Sequence, residues 1–176
     1  MLTYDKNKLL EMVKKSEQSE IDCLKKLVGI PTCCNKEHDM KPVIAQLTDE
    51  FEKRGYKVKT FSTKGSPIVV AEMNLGMDKT LMFYNHYDVQ PEEPLEEWKS
   101  PPYTFTIKNE RLYGRGVNDN KGPLVANIFG VQAALEAGYQ PKCNIRFIIE
   151  GEEEVGSLNL EEFCKAHPDL LKSDGC

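Results

Sequence analysis

The sequence predicts an α/β fold, a mixed and largely parallel sheet flanked by helices. Three observations predict it. The runs TLMFYNHY (80–87) and NIRFIIE (144–150) have the length and apolar composition of buried strands. Between them, residues 122–137 set Leu124, Ile128, Val131 and Leu135 on one helical stripe, with Gly138 as a stop. The resulting order of strand, hairpin, helix, strand and helix is the pattern of helices packed on a sheet.

Each element has its own signal. Roughly the first 30 residues read as a helix opened by Asp5, with Leu9, Leu10, Val13, Ile21, Leu24 and Val28 on one side. The loop IPTCCNKE follows. Met40, Val43, Ile44, Leu47 and Phe51 keep helical spacing in a second helix, for which Asp39 is the expected cap, Pro42 suits the first turn and Gly55 can end the run. Lys57 to Phe61, Ile68 to Met73 and Thr80 to Tyr84 read as strands. The acidic, proline-rich segment PEEPLEEWKSPP (91–102) is long for a simple connection, and such loops are often functional. Tyr103, Phe105 and Ile107 alternate, and Arg111 to Tyr113 return, which predicts a hairpin. After the strand at 144–149, a further helix is expected from near Asn159. Neither an internal repeat nor a low-complexity tract is visible.

Composition narrows the function classes. With 40% hydrophobic and 29% charged residues the chain can bury a core as a soluble globular protein. A net charge of -5, with no basic run interleaved with aromatics, argues against a nucleic-acid partner. No apolar stretch nears the roughly 18 residues of a membrane span, and MLTYDKNKLLEMVKK has no apolar signal core, so no membrane partner and a cytoplasmic setting are expected. None of the six cysteines forms a C-x-x-C pair, which leaves a zinc ribbon or thioredoxin-like motif unsupported. The adjacent Cys33 and Cys34 read as reduced loop thiols, and Cys143 as a small buried apolar residue.

The chemistry concentrates at strand ends. NHYDVQP (85–91) and EGEEEVGS (150–157) put imidazole and carboxylates just past the two buried runs, where open α/β sheets present their ligand groups. Imidazole nitrogen and carboxylate oxygen are the donors zinc takes. His86 and Asp88 lie two residues apart, on one side of an extended chain, so one can ligate while the other orients it. By itself H-x-D is common by chance. Asp119 sits in GRGVNDNKGP (114–123), where glycines permit a tight path; it reads equally as a helix cap for 122–137. A phosphate loop does not fit, because Asp119 occupies the third glycine position of G-x-G-x-x-G and Lys121 is not followed by Ser or Thr. The run Glu152, Glu153, Glu154 reads alone as a solvated loop. Crowded at a sheet's carboxyl edge, it calls instead for a compensating cation, and supplies both a ligand and a free general base.

Taken in order and spacing, HYDVQP, LYGRGVNDNKGP and EGEEEVGS resemble the three signatures of a dinuclear zinc peptidase family. It contains carnosinase-type dipeptidases, acetylornithine deacetylase, succinyl-diaminopimelate desuccinylase, aminoacylase and carboxypeptidase G. Trp98, PPYTF and LYGRG lean towards the dipeptidase branch. The resemblance implies that His86 ligates the first zinc with Asp88 behind it, that Asp119 bridges both ions, and that Glu154 ligates the second. It implies Glu153 as the general base of a metal-dependent hydrolase of peptide or amide bonds. Two zinc ions per complete site are implied, and cobalt or manganese suit the same donors. A dipeptide or N-acyl amino acid is the implied substrate, and a homodimer the implied state of a full-length protein.

The family also supplies ligands for which this chain has no counterpart. His38 and His167 read as surface residues, and Asp174 as the start of the next strand. Residues 1–176 are therefore expected to be an N-terminal part of the catalytic domain, lacking the inserted dimerisation domain and the C-terminal part. Weak zinc binding, little activity alone and an uncovered sheet edge prone to self-association are expected of it. The competing expectation is a non-catalytic binding or interaction protein that retains half of the fold.

Overall fold

Asp5 opens the first helix: its carboxylate accepts the free N–H groups of Asn7 and Lys8 at 3.0 and 3.1 Å, and α1 runs Lys6–Val28. The computed structural model describes residues 5–36 and 38–176; residues 1–4, within the span expected for the first helix, and Glu37 of the entry loop lie outside them. In α2 (Lys41–Glu52), Asp39 accepts from Lys41 N at 3.0 Å but stands one residue before the cap position, which Met40 occupies without a side-chain bond. Strands β1 (Lys57–Phe61), β2 (Ile68–Met73) and β3 (Thr80–His86) follow. The short pair β4 (Thr106–Lys108) and β5 (Arg111–Tyr113) forms the expected hairpin. Then come α3 (Lys121–Glu136), β6 (Asn144–Glu150), α4 (Leu160–Ala166) and α5 (Pro168–Leu171).

The main sheet has the order β1-β2-β6-β3 and is mixed, as the sequence predicts. Its parallel character is narrower than expected: only β3 and β6 run parallel, while β1–β2 and β2–β6 are antiparallel. The connections give the reason. β1 and β2 are joined by residues 62–67 alone, short enough only for a return, whereas β3 reaches β6 by way of the hairpin and α3.

Both faces of the sheet are covered. On β2 and β6, Val69, Ala71, Ile145, Phe147 and Ile149 face the core shared with α1, α2 and α3. Alternate residues Ile68, Val70 and Ile148 face the opposite layer with Phe163 of α4. β3 is the outer strand. Leu81 makes a parallel bridge to Gly175, and Asp174 exchanges backbone and side-chain bonds with Thr80, so the residues expected to begin another strand lie along this edge. Among the described residues no helix is long and apolar enough to cross a membrane.

Candidate metal centre

Parallel pairing sets the position of the site. β3 and β6 are in register up to His86 opposite Glu150, so the segments that follow both strands leave the sheet at the same edge. The backbone keeps them together just beyond, with Tyr87 N donating to Glu150 O at 2.8 Å. Tyr87 is fully buried against Gly151 and its hydroxyl donates to Pro67 O, which fixes the strand end between two charged neighbours.

His86 is 5% exposed. Its Nδ1 lies 3.2 Å from Asp88 Oδ1, and its Nε2 lies 3.1 Å from Asp119 Oδ1 and 3.7 Å from Glu153 Oε2. Burial by itself pushes the imidazole pKa down. The hydrogen bond to Asp88, with the charges of Asp88, Glu153 and Asp119, outweighs burial and holds it at about 9. Asp88 is fully buried; the oxygen that faces the imidazole also accepts from Glu153 N at 3.2 Å, and its other oxygen accepts from Glu154 N at 3.0 Å. One carboxylate thus holds the imidazole and the start of the acidic turn together.

The three consecutive acids divide their work. Glu152 turns away from the site and clamps two segments, accepting from Ser66 N at 2.9 Å and from both the backbone and the amide of Asn159. Glu153, with a side chain 43% exposed, faces the imidazole. Glu154 receives the Gln90 amide at 2.8 Å. One ligand atom each from His86, Glu153 and Glu154 lies within 4.8 Å of the other two. An imidazole nitrogen with two carboxylate oxygens is a donor set that fits zinc. Asp119 stands at the rim: it touches the imidazole but is outside that three-group cluster, with a side chain 63% exposed. It is not the cap of α3 either, since Asn120 holds the cap position.

Sequence reasoning passed over the residues that support this arrangement. Asn85, 3% exposed, donates to Asn120 Oδ1 at 2.8 Å and so ties the Asp119 segment to β3. Lys121 is fully buried, and its ammonium donates to Leu27 O and Ile30 O at 2.9 and 2.7 Å, pinning the end of α1 under the same segment. Gln90 continues the two-residue period of His86 and Asp88, a signal the sequence does carry. The other candidates lie elsewhere. The His167 ring is half-buried rather than on the surface, packed on Phe61 and Phe163 at 4.6 and 5.1 Å, and Asp174 accepts from Thr80 N.

Comparison with known proteins identifies the family. Residues 82–174 match the model of peptidase family M20/M25/M40. The Cys-Gly metallodipeptidase dug1 of Schizosaccharomyces pombe is 31% identical over 176 residues, covering 91% of this chain and 37% of the yeast protein. The human Beta-Ala-His dipeptidase is 43% identical over 108 residues, which are 61% of this chain and 21% of that one. Among solved structures, human carnosine dipeptidase 1 superposes with a TM-score of 0.85 at 30% identity, covering 96% of this chain and 40% of its own. The M20 family metallo-carboxypeptidase of Sulfolobus solfataricus gives 0.81 at 39% identity, covering 90% and 36%. The chain therefore spans well under half the length of the relatives it matches.

Proposed function

This chain belongs to peptidase family M20/M25/M40, and on that premise we propose that it serves a metallodipeptidase, a hydrolase of dipeptides or N-acyl amino acids. The observation that carries the reading is the convergence of His86, Glu153 and Glu154 at the carboxyl edge of the parallel strand pair.

In this reading His86, Glu154 and Asp119 hold a pair of zinc ions, for which cobalt or manganese can substitute. When bound, the metal supplies a Lewis acid for the scissile carbonyl and lowers the pKa of water to near neutrality. Asp88 keeps the proton on His86 Nδ1, which leaves Nε2 free as a donor atom. Glu153, whose half-open side chain faces the imidazole, takes the proton of the attacking water and passes it to the leaving amine. The remaining ligands come from outside residues 1–176, which we place in the N-terminal part of the catalytic domain of a longer protein that acts as a homodimer; the share of the relatives that is matched supports the greater length. Six free thiols suit the reducing cytoplasm.

The experiment is zinc titration by calorimetry and dipeptide turnover, run on this chain and on the product of its full reading frame. Expected are weak zinc uptake and little turnover by the 176 residues, robust turnover by the longer product, and its loss in Glu153→Gln with zinc retained. A longer product that takes up no divalent metal, or turnover that survives Glu153→Gln, sinks the proposal.

A further inference from the structure

The last residue of β6 is a carboxylate with no place in the scheme above. Glu150 is 1% exposed, and no lysine or arginine among the described residues pairs with it. A buried carboxylate without a counter-ion persists only where hydrogen bonds replace its hydration. Two hydroxyls converge on the same oxygen: Ser157 Oγ donates to Oε1 at 2.6 Å, and Tyr84 donates to it as well.

The two bonds differ in what they close. Tyr84 belongs to β3, so its bond lies within the sheet. Ser157 lies seven residues further along the chain, so its bond closes a ring around the turn that carries Glu153 and Glu154. That turn is an unfavourable one. Gly156 and Ser157 stand consecutively in left-handed backbone, with φ of 89° and 54°, a region a serine seldom adopts without a compensating contact. The turn's own backbone bonds are few: Gly156 N to Glu153 O at 2.9 Å, Ser157 N to Glu152 O at 2.8 Å and Val155 N to Glu152 O at 3.2 Å.

We propose that Glu150 is a positioning residue: by accepting from Ser157 it closes the 151–157 turn and sets Glu153 and Glu154 opposite His86. The proposal rests on the metal-centre reading for its consequence, but not for its geometry. The strand supplies the anchor, the serine the latch, and the two acids ride between them.

Ser157→Ala removes the latch; Tyr84→Phe removes the other donor to Glu150, together with the contact of its hydroxyl to Ser157, and leaves the bond from Ser157 to Glu150 in place. Two measurements are made on each. Hydrogen exchange of the 155–157 amides is expected to quicken in Ser157→Ala and to stay near wild type in Tyr84→Phe, with exchange in α3 unchanged in both. Cobalt(II) affinity, read from its visible absorption, is expected to fall about tenfold in Ser157→Ala, with a changed band shape. Unchanged exchange in Ser157→Ala overturns the proposal, as does equal quickening in the two variants, or quickened exchange with cobalt affinity and spectrum unmoved. The cobalt measurement is made on the product of the full reading frame; if its wild type binds no cobalt the metal-centre reading is overturned instead, and the exchange comparison still decides whether Glu150 holds the turn.

Discussion

Asp88 and Glu154 are joined across 66 residues of chain by one hydrogen bond, Glu154 N to Asp88 Oδ2 at 3.0 Å. The other oxygen of the same carboxylate faces His86 Nδ1 at 3.2 Å. The strand bearing the imidazole and the turn bearing the acids therefore share a single buried anchor.

Asp88→Asn tests that anchor. An amide cannot accept from both backbone N–H groups and the imidazole, so at least one buried donor loses its partner. The expected cost is roughly 1–3 kcal/mol in denaturant unfolding, with zinc affinity lower by about 10- to 100-fold in calorimetry. Wild-type affinity in this variant contradicts the shared anchor.

His86 makes stability fall as pH rises. Its folded pKa of about 9 lies above the usual value of 6.5, so the folded state holds the extra proton between those limits. The contribution is complete below about pH 6.5 and is lost by about pH 9, amounting to roughly 3 kcal/mol at most. In the metal-free chain, the stability advantage of wild type over His86→Gln is expected to shrink across that window. A constant difference from pH 6 to 9.5 refutes it.

Lys121 acts in the opposite direction. Burial pushes its pKa down to about 7, against the opposing charge of Asp88, so above pH 7 the unfolded chain binds the proton that the folded one releases. The advantage of wild type over Lys121→Met is therefore expected to grow from about pH 7 towards pH 10, by at most roughly 4 kcal/mol. Measuring both variants in one pH series separates two effects that offset each other in the wild type.

Gly151→Ala probes the packing beneath the site. A Cβ there falls 2.3 Å from the ring and hydroxyl of Tyr87, which is fully buried and cannot swing aside. Overpacking of this kind costs about 1–3 kcal/mol, seen as a melting temperature lower by several degrees. A melting temperature within one degree of wild type shows that Tyr87 has room to move.

What the sequence alone determined was local. The stripe Leu124–Ile128 placed α3, the apolar runs placed β3 and β6, and Asp5 opened α1, because caps, apolar runs and helical stripes depend on neighbours a few residues away. The family was legible too, since HYDVQP, LYGRGVNDNKGP and EGEEEVGS keep their order and spacing. Tertiary structure decided what identical letters do. Glu152, Glu153 and Glu154 look alike in the chain, yet one holds Ser66, one faces His86 and one meets Gln90, each partner more than 60 residues away. The pairing of β6 with β3 brings His86 and Gln90 into reach, and its pairing with β2 brings Ser66, so the division of labour among the acids follows from strand register rather than from any feature of the run itself.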